Sequence, residues 1–465
     1  MNYLLNKEAF PGIEINATVD MNALFLLIEP KDEWDYGITL IGMIMHRLIS
    51  IFTFVSFLLS FAPATSDVLI VEDVDRSESS GVFGDKYLSL QFAMERAIDG
   101  DTILIKPGIY HAQPTAYTED LCGNCLEHKT TVKATRGFII DNRDIVIMGS
   151  GPDRTRLVTN AGYGVYIEDS SPVYISGLKI TGGVRDEDGN ATDAAIVVRN
   201  SRVTITDCEI SGNTYRDSSV VVGIGGIFGR EGAELFIINN LIENNGWDGV
   251  ALYRGATAFI ADNVIRKGRG VGIGITWDAA ATVLRNRISE YWKGIGSFGD
   301  TRVVARHNEV FDNLGWGIIA TGTSWMDASN NTVIRNGNCG MAVWGPDCMG
   351  RFTNNLIVEN GWREEWVCPC VGIWAYSGED TTMVTEDRLE SFEISFNNVW
   401  GNEAGEYRNM PDLTGRFGNI SIEPEFLNPS DSTDFRLKPA SPLIDSGNPL
   451  LTDPDGSRPD IGARL

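Results

Sequence analysis

The feature that most constrains this chain is a repeat of 22 to 23 residues through its middle third. Six units each carry an asparagine followed two places on by an apolar residue, at Asn240, Asn263, Asn286, Asn308, Asn331 and Asn354. A glycine stands fourteen residues before each of them, at Gly226, Gly249, Gly272, Gly294, Gly317 and Gly340. Repeats of about 20 to 50 residues are typical of solenoids, propellers or arrays, whose units stack on one another.

The content of each unit predicts an all-β coil. The segments between asparagines are short runs of alternating Val, Ile, Ala and Phe, broken by Gly and Asn, without a ten-residue helical period. A leucine-rich repeat has a similar length, but these units favour Val and Ile and lack its leucine frame. A parallel β-helix remains. Its stacked coils place equivalent residues about 4.8 Å apart, so the asparagines should form a buried ladder.

Three further segments extend this pattern along the chain. LSLQFAMERAIDGDTILIKPGIYHA at 88–112, VYISGLKITGG and the C-terminal DFRLKPASPLIDSGNPLLTDPDGSRPDIGARL resemble the secreted pectate-lyase-like superfamily. The resemblance implies a single-stranded right-handed parallel β-helix over residues 65–427, an N-terminal cap with a short helix, and a tail of residues 428–465 packed on it. Because this superfamily contains lyases, hydrolases, epimerases and proteins with no demonstrated activity, the fold does not settle the function.

The N-terminal region predicts export. Residues 45–64 read MHRLISIFTFVSFLLSFAPA, a basic start, an apolar run and a small-x-small ending, which is the pattern of a secretory signal peptide. Residues 1–44 would then be a spurious extension; the alternative is a short signal anchor with an acidic arm. We therefore expect a secreted or cell-surface protein without a membrane span in its mature chain.

The charge balance excludes one class of partner. The chain has 38 Lys and Arg against 63 Asp and Glu, a net charge of −25, and a pI near 4.5. Such acidity argues against binding to a phosphate backbone, so nucleic acid is not an expected partner. A polysaccharide is the expected partner, and we expect a monomer.

Seven cysteines fit an exported protein. Cys208 follows a predicted strand and should be buried and unpaired. The other six are predicted to form disulfides, with the connectivity left open, namely Cys122, Cys125, Cys339, Cys348, Cys368 and Cys370. A zinc site built from the CxxC and CPC pairs is the alternative.

Several charged residues face outward on neighbouring coils in this register. Asp278 and Asp300 each lie eight residues before a marker asparagine, so their carboxylates should be neighbours that could bind Ca²⁺ or share protons. The candidate catalytic residues are Asp278, Asp300, Arg285, Lys293 and His307. The resemblance to pectate lyases implies an Arg or Lys base and a calcium ion that neutralises the substrate's carboxylate. The alternative is that these charges only neutralise one another.

A column of aromatic residues runs beside these charges. Flat aromatic faces on a rigid groove suit sugar rings, and Lys293, with Trp316 as its equivalent on the next coil, could bind a carboxylate. The candidate substrate-binding residues are Tyr253, Trp277, Trp292, Phe298, Arg302, Arg306, Trp316 and Trp344. The alternative is that the aromatics pack beneath the loops that carry the cysteines.

These features lead to three functional hypotheses. The first is a secreted lyase, or a related enzyme, that acts on an acidic, uronate-containing polysaccharide. The second is a non-catalytic carbohydrate-binding or cell-surface solenoid. The third is a glycoside hydrolase that uses the paired aspartates.

Overall fold

The computed structural model describes residues 66–72, 82–83, 86–87, 89–122, 130–215, 221–345, 347–376, 391–453 and 455–463. These ranges fall within one compact unit, residues 54–465. The predicted signal peptide at 45–64 and the extension at 1–44 lie outside the described residues.

The described residues form one helix and three long sheets, which we call A, B and C. The helix is α1, Leu90–Arg96. Sheet A contains β1 (Val68–Val71), β2 (Val82–Phe83), β3 (Lys86–Tyr87), β4 (Thr102–Ile105), β8 (Val146–Met148), β11 (Val173–Ser176), β14 (Arg202–Thr206), β17 (Glu234–Ile238), β20 (Thr257–Ala261), β23 (Ala280–Leu284), β26 (Arg302–Arg306), β29 (Trp325–Ser329), β32 (Met349–Thr353) and β35 (Phe392–Ser395).

The other two sheets contain the remaining strands. Sheet B contains β5 (Gly108–His111), β9 (Thr155–Val158), β12 (Lys179–Thr181), β15 (Glu209–Ser211), β18 (Leu241–Glu243), β21 (Val264–Arg266), β24 (Arg287–Ser289), β27 (Glu309–Phe311), β30 (Thr332–Ile334), β33 (Leu356–Val358) and β36 (Asn398–Trp400). Sheet C contains β6 (Thr115–Cys122), β7 (Thr130–Asp141), β10 (Tyr163–Glu168), β13 (Ala194–Arg199), β16 (Gly225–Arg230), β19 (Val250–Leu252), β22 (Val271–Thr276), β25 (Lys293–Phe298), β28 (Trp316–Thr321), β31 (Met341–Trp344), β34 (Ile373–Tyr376) and β37 (Tyr407–Arg408).

The chain winds through the three sheets in turn, one strand per sheet in each coil of the repeat. Each strand pairs in parallel with its equivalent on the next coil; on sheet C, for example, Ile273 pairs with Ile295 and Ile295 with Ile318. The pairs β2–β3 and β6–β7 are antiparallel. The predicted coil length holds through the repeat, but 31 residues separate Val165 from Ile196 in the earlier coils.

The inward positions form the main core. The positions three and five residues before the first five marker asparagines are all buried, as predicted, namely Leu235, Ile237, Ala258, Ile260, Ala281, Val283, Val303, Ala305, Met326 and Ala328. Helix α1 begins at the N-terminal end of this core, where the Ser89 hydroxyl accepts the Phe92 N–H at 3.3 Å and caps the helix. Burying one apolar stripe per strand is what holds each coil on its neighbours.

The predicted asparagine ladder is present inside the solenoid. The side-chain amide of Asn263 donates to Asn286 Oδ1 at 2.9 Å, and the same oxygen accepts the Asn263 backbone N–H at 3.1 Å. The pattern repeats from Asn240 onward, but after Asn331 it continues through Asn355, not through Asn354 as the repeat suggested. Asn354 lies one place earlier, where its φ of 57° marks the turn before the ladder.

The C-terminal tail packs on the outward face of sheet B. Phe435, Leu443 and Ile461 of the tail form one buried cluster with Phe311 and Leu356 of that sheet. This tail therefore covers the outward face of sheet B at β27, β30 and β33.

The ladder generates the first prediction. Replacing Asn286 by Ala removes hydrogen bonds to both neighbouring coils: the buried Asn263 N–H loses its acceptor, and the Asn263 side-chain amide keeps only its bond to the Ile237 carbonyl. Each unpaired buried group costs about 1 to 3 kcal/mol, so we expect Asn286→Ala to lower the free energy of unfolding by about 2 to 4 kcal/mol. Denaturant unfolding measures this, with Asn190→Ala on an exposed loop as the control. A loss below about 0.5 kcal/mol would show that the ladder does not stabilise the coils.

Candidate functional site

The outward face of sheet C has three zones. Over the first zone, the β6–β7 hairpin forms a second buried core with Tyr163, Tyr166 and Phe228. The third zone carries a cluster of tryptophans and cysteines around Trp316. Between them lie β22 and β25, whose outward positions include Gly274, which a side-chain methyl would not crowd. The accessible part of sheet C is therefore the middle zone and its tryptophan border.

The first zone is closed by a buried charge network. Arg230 is fully buried and pairs with Glu119 of the hairpin at 2.9 Å, while the Tyr163 hydroxyl donates to Glu119 at 2.6 Å. Arg199 adds hydrogen bonds to the Tyr166 hydroxyl at 3.0 Å and to Glu231 at 2.9 Å. These contacts fix the hairpin on the sheet.

The third zone contains a cleft of about 440 Å³. Four of the predicted substrate-binding residues line it, namely Trp292, Phe298, Trp316 and Trp344. The remaining lining residues are Lys293, Ile319, Thr321, Trp366 and Val367. The tryptophans contact one another edge to face, with 5.6 Å between the ring centroids of Trp292 and Trp316. The cleft thus combines flat apolar surfaces with a single lysine.

Lys293 is the charged group of this cleft. It begins β25 and stands in register with Val271 and Trp316, as predicted for Trp316. Its ammonium nitrogen lies 5.1 Å from the Trp316 ring centroid and 5.4 Å from that of Phe298, within reach of a cation–π interaction. Within the described ranges, no carboxylate lies within ion-pair distance of Lys293. Burial lowers the pKa of Lys293, and the nearby Asp248 partly opposes this.

The layer beneath Lys293 departs from the repeat. A second asparagine ladder runs through Asn213 and Asn245, and again from Asn313 onward. In the two coils between Asn245 and Asn313, the ladder position is occupied by Gly268 and Tyr291. The backbone N–H of Tyr291 donates to Asn313 Oδ1. Gly268 has to be small, because a Cβ there would lie 2.0 Å from the Tyr291 ring.

Two buried polar groups lie in this interruption. The Tyr291 side chain is fully buried, and its hydroxyl has no hydrogen-bond partner among the described residues. Asp248 is 8% exposed and accepts the Val271 N–H at 2.6 Å. Burial raises the pKa of Asp248 to about 6, against the lowering effects of that hydrogen bond and of Lys293. Buried titratable groups beneath a cleft are typical of functional sites.

The raised pKa of Asp248 generates the second prediction. The folded protein keeps this proton up to about pH 6, whereas the unfolded chain loses it near 3.8, so stability falls as the pH rises between these values. The Asp248→Asn variant does not show this fall in stability, because an amide does not titrate in this pH range. We expect the stability of the variant relative to wild type to rise between pH 4 and pH 7, by on the order of 2 kcal/mol. Equal pH profiles in urea unfolding would contradict the assignment.

The structure does not bring the five predicted catalytic residues together. Asp278 and Asp300 lie in exposed turns between sheets C and A, and Asp278 accepts the Gly255 N–H at 2.9 Å. Lys293 is the first residue of β25, so it lies at the opposite end of the sheet C strands from Asp278 and Asp300. Arg285 and His307 lie in the turns between sheets A and B. These positions cannot contact one substrate residue together, because a strand of six residues spans about 20 Å.

Arg285 and His307 are occupied by other groups. Arg285 forms a two-point ion pair with Asp262 of the preceding coil, with both N–O distances 2.8 Å. This is the charge neutralisation that the sequence left open as an alternative. His307 lies beside the backbone of Ala463 in the tail, and burial together with Arg306 lowers its pKa to about 4. A neutral histidine beneath the tail does not reach a substrate.

The other predicted substrate-binding residues lie elsewhere. Tyr253 is buried in the core beneath the hairpin, so it packs against Phe228 and does not line a groove. Trp277 is 39% exposed in a turn.

Two predicted substrate-binding arginines lie on the face of sheet A. Arg302 lies 4.2 Å above the Trp325 ring, and Arg306 pairs with Asp327 at 2.6 Å. The predicted column of aromatic residues thus divides into two parts. Tyr253 packs beneath the hairpin, whereas Phe298 and Trp344 line the cleft.

The sequence also predicts a calcium site and disulfides. No group of three or more His, Cys, Asp or Glu residues that could hold a metal occurs in the part of the chain described. Ca²⁺ takes roughly six to eight oxygen ligands, so a calcium ion at Asp278 and Asp300 would need further oxygen ligands, and this site stays a prediction. Cys339, Cys348, Cys368 and Cys370 are buried free thiols, and so is Cys208. The side chains of Cys122 and Cys125 lie outside the described residues.

A larger cleft, of about 710 Å³, lies between sheet B and the tail. Its arginines are already paired: Arg287 pairs with Glu309, and Arg436 pairs with Asp434 at 2.6 Å. Since these charges are neutralised within the chain, this cleft offers less to a ligand than the one around Lys293.

Known proteins resemble this chain mainly in fold. Residues 225–389 match the family described as the right handed beta helix region. Together with the parallel register of the three sheets, this match decides the fold. The chain is a right-handed parallel β-helix protein.

Individual relatives of this β-helix protein are distant. YwoF, an uncharacterized protein of Bacillus subtilis (strain 168), is 25% identical over 335 residues, covering 64% of this chain and 68% of YwoF. The solved structure of pectate lyase Pel9A is 15% identical, with a TM-score of 0.42, over 86% of this chain and 96% of that one. The alginate lyase of Paenibacillus sp. str. FPU-7 is 16% identical, with a TM-score of 0.37, over 62% and 95% of the two chains.

No helix in the described part of the chain is long and apolar enough to cross a bilayer. Sequence reasoning missed two features of its site. The Glu119 network lies in coils longer than the repeat, so no register linked its members. The second ladder was also missed, although Asn313 and Asn336 follow Asn308 and Asn331 at a constant distance of five residues.

Proposed function

We propose that this β-helix protein acts on an acidic, uronate-containing polysaccharide, which it holds in the sheet C cleft. The observation that supports this most directly is Lys293, a half-buried cation set between Trp316 and Phe298 without a carboxylate partner within the described ranges. A uronate residue supplies a carboxylate for the ammonium and a ring face for the aromatics. Secretion, as predicted from residues 45–64, would take the protein to such polymers.

The finer part of the proposal is a lyase reaction by β-elimination. Burial lowers the pKa of Lys293, which raises the share of neutral amine that can act as a base. The amine takes the proton on the carbon next to the uronate carboxylate. The released electron pair forms a carbon–carbon double bond, and the bond to the glycosidic oxygen at the next carbon breaks. That oxygen leaves with a proton from the solvent or from the lysine.

A non-catalytic binding protein is the second candidate. The observation that favours it is that Lys293 is the one titratable side chain among the residues that line the cleft. Elimination needs both removal of a proton and stabilisation of the negative charge that develops, and the second task has no assigned group among the lining residues. The two candidates differ in the product, because lysis creates an unsaturated sugar end that absorbs in the near ultraviolet.

The third prediction concerns Lys293 itself. A charge-assisted hydrogen bond contributes about 1.5 to 3 kcal/mol, so we expect Lys293→Ala to weaken the binding of an oligouronate by about 10- to 100-fold. Titration calorimetry measures this for pectin, alginate and glucuronan oligomers. Arg285→Ala is the matched control, since this cation pairs with Asp262 and should leave affinity unchanged. Equal affinity of wild type and Lys293→Ala for every oligomer would refute the proposed site.

The fourth prediction separates binding from catalysis by pH. Binding needs the protonated lysine, so affinity should fall as the pH rises, at values below the ordinary lysine pKa of 10.5 because burial lowers it. A lyase needs the neutral amine, so kcat should rise over the same range. Absorbance at the unsaturated product end measures kcat, with calcium or a chelator present to test the predicted calcium requirement. A kcat independent of pH over that range would exclude Lys293 as the base.

A further inference from the structure

Asp248 is a buried carboxylate to which the proposed reaction gives no role. It lies in the turn between β18 and β19 and is 8% exposed. Its Oδ1 accepts the backbone N–H of Val271, on the next coil, at 2.6 Å. Burying a carboxylate costs free energy that only hydrogen bonds or opposite charges can offset. The contacts of this side chain therefore show what the carboxylate does for the turn around it.

Asp248 and Lys293 lie in the same column of sheet C, two coils apart. The register of β19 and β22 places Asp248 opposite Val271, and Val271 pairs with Lys293. Stacked coils lie about 4.8 Å apart, so about 10 Å separates the backbones of the two charged residues. No ion pair joins their side chains within the described ranges. A direct mechanical influence of Asp248 on Lys293 has to pass through the coil between them.

The peptide group that joins Gly270 to Val271 is this link. Its N–H, on Val271, donates to Asp248 Oδ1 at 2.6 Å. Its carbonyl, on Gly270, accepts the Trp292 N–H at 2.9 Å and the Lys293 N–H at 3.3 Å. Hydrogen bonds in such a chain polarise one another, and a charged acceptor at one end strengthens the chain. Asp248 thus acts on the backbone of two residues that line the cleft.

The equivalent carbonyl one coil earlier provides a comparison. The Trp247 carbonyl accepts the Arg269 N–H at 3.3 Å and the Gly270 N–H at 3.5 Å. Both bonds are longer than the two that the Gly270 carbonyl accepts from the following turn. Shorter bonds at Gly270 agree with a peptide group that is polarised by a carboxylate.

The turn is built around the carboxylate. A Cβ at Gly270 would lie 1.9 Å from Asp248 Oδ1, so a side chain at this position would displace the carboxylate from the Val271 N–H. Glycine is therefore required here by a close approach of side chain to backbone.

We infer that Asp248 is a positioning residue of the sheet C cleft: through the Gly270–Val271 peptide group it holds the backbone of Trp292 and Lys293 in place. Lys293 is the cation of the cleft, and Trp292 is one of its aromatic walls. A shift of their shared turn would move both the ammonium and the indole ring. The role rests on the proposed function, because it concerns the same cleft.

The first test follows the hydrogen-bond chain by pH and needs no ligand. Burial raises the pKa of Asp248 to about 6, and the charge that appears above this value strengthens the bond to the Val271 N–H. The amide proton resonances of Val271, Trp292 and Lys293 should therefore shift together, with a midpoint at about pH 6. Nuclear magnetic resonance of the full chain, labelled with ¹⁵N in its Val, Trp and Lys residues, measures this.

Control variants assign the shifts to one carboxyl group. The other titratable or charged side chains around Asp248 are Lys293 on the outside, Tyr291 beneath and Arg269 in the neighbouring turn. Asp248→Asn should abolish the shifts. Asp278→Asn is the matched control, since this carboxylate also accepts a backbone N–H but lies at the other end of the sheet C strands, and it should leave the shifts unchanged. Constant resonances of the two cleft residues in wild type, or shifts that persist in Asp248→Asn, would overturn the inference.

The second test measures the effect on ligand binding. Asp248→Ala removes the acceptor at the start of the chain, so we expect it to weaken oligouronate binding by about 3- to 10-fold in titration calorimetry. Asp248→Asn keeps an oxygen that can accept the Val271 N–H and should restore most of the affinity. Asp278→Ala should bind like wild type.

The two tests separate this role from the proposed ligand. Shifts at about pH 6 in a protein that binds no oligouronate would establish the hydrogen-bond chain and refute the proposed ligand. Equal oligouronate affinity of wild type and Asp248→Ala would overturn the positioning role while supporting the ligand. If Asp248→Ala does not fold, the resonance test with Asp248→Asn still decides whether the chain exists.

Discussion

The stacked asparagines are the interaction on which the rest of this protein depends. Each side-chain amide joins one coil to the next, and its oxygen also accepts a backbone N–H that would otherwise be buried without a partner. A slip of one residue would break these bonds and turn the apolar stripe outward. The ladder therefore holds Ile273, Ile295 and Ile318 in line. It also fixes which side chains are neighbours on the outer faces.

The candidate site lies where the same rule is broken. At Gly268 and Tyr291 the asparagines of the second ladder are replaced, so its side-chain amide contacts are missing there. A buried carboxylate, that of Asp248, lies beside them. Directly outside, Lys293 has no carboxylate partner within the described ranges, whereas Arg285 is neutralised by Asp262. The missing asparagine contacts lie beneath Lys293, and local departures from the regular pattern are expected at functional sites.

The fold could be predicted from the sequence because the repeat has a constant length over residues 226–340, and hence a visible register. That register also gave the neighbours Lys293 and Trp316. It placed Asp262 and Arg285 on neighbouring coils, but it could not show whether the two side chains pair, because that depends on their conformations. Nor could it show that the tail covers His307 or that the hairpin covers Tyr253, since both contacts join segments far apart in sequence.

The proposed ligand site lies on sheet C, between the β6–β7 hairpin and residues 361–370. Hydrogen exchange with and without a uronate oligomer tests it most directly, because the method covers all faces of the β-helix at once. We predict slower exchange in β25, β28 and residues 361–370, with the turns at Asp278 and Asp300 and the tail unchanged. Protection confined to those turns or to the cleft beneath the tail would contradict the account.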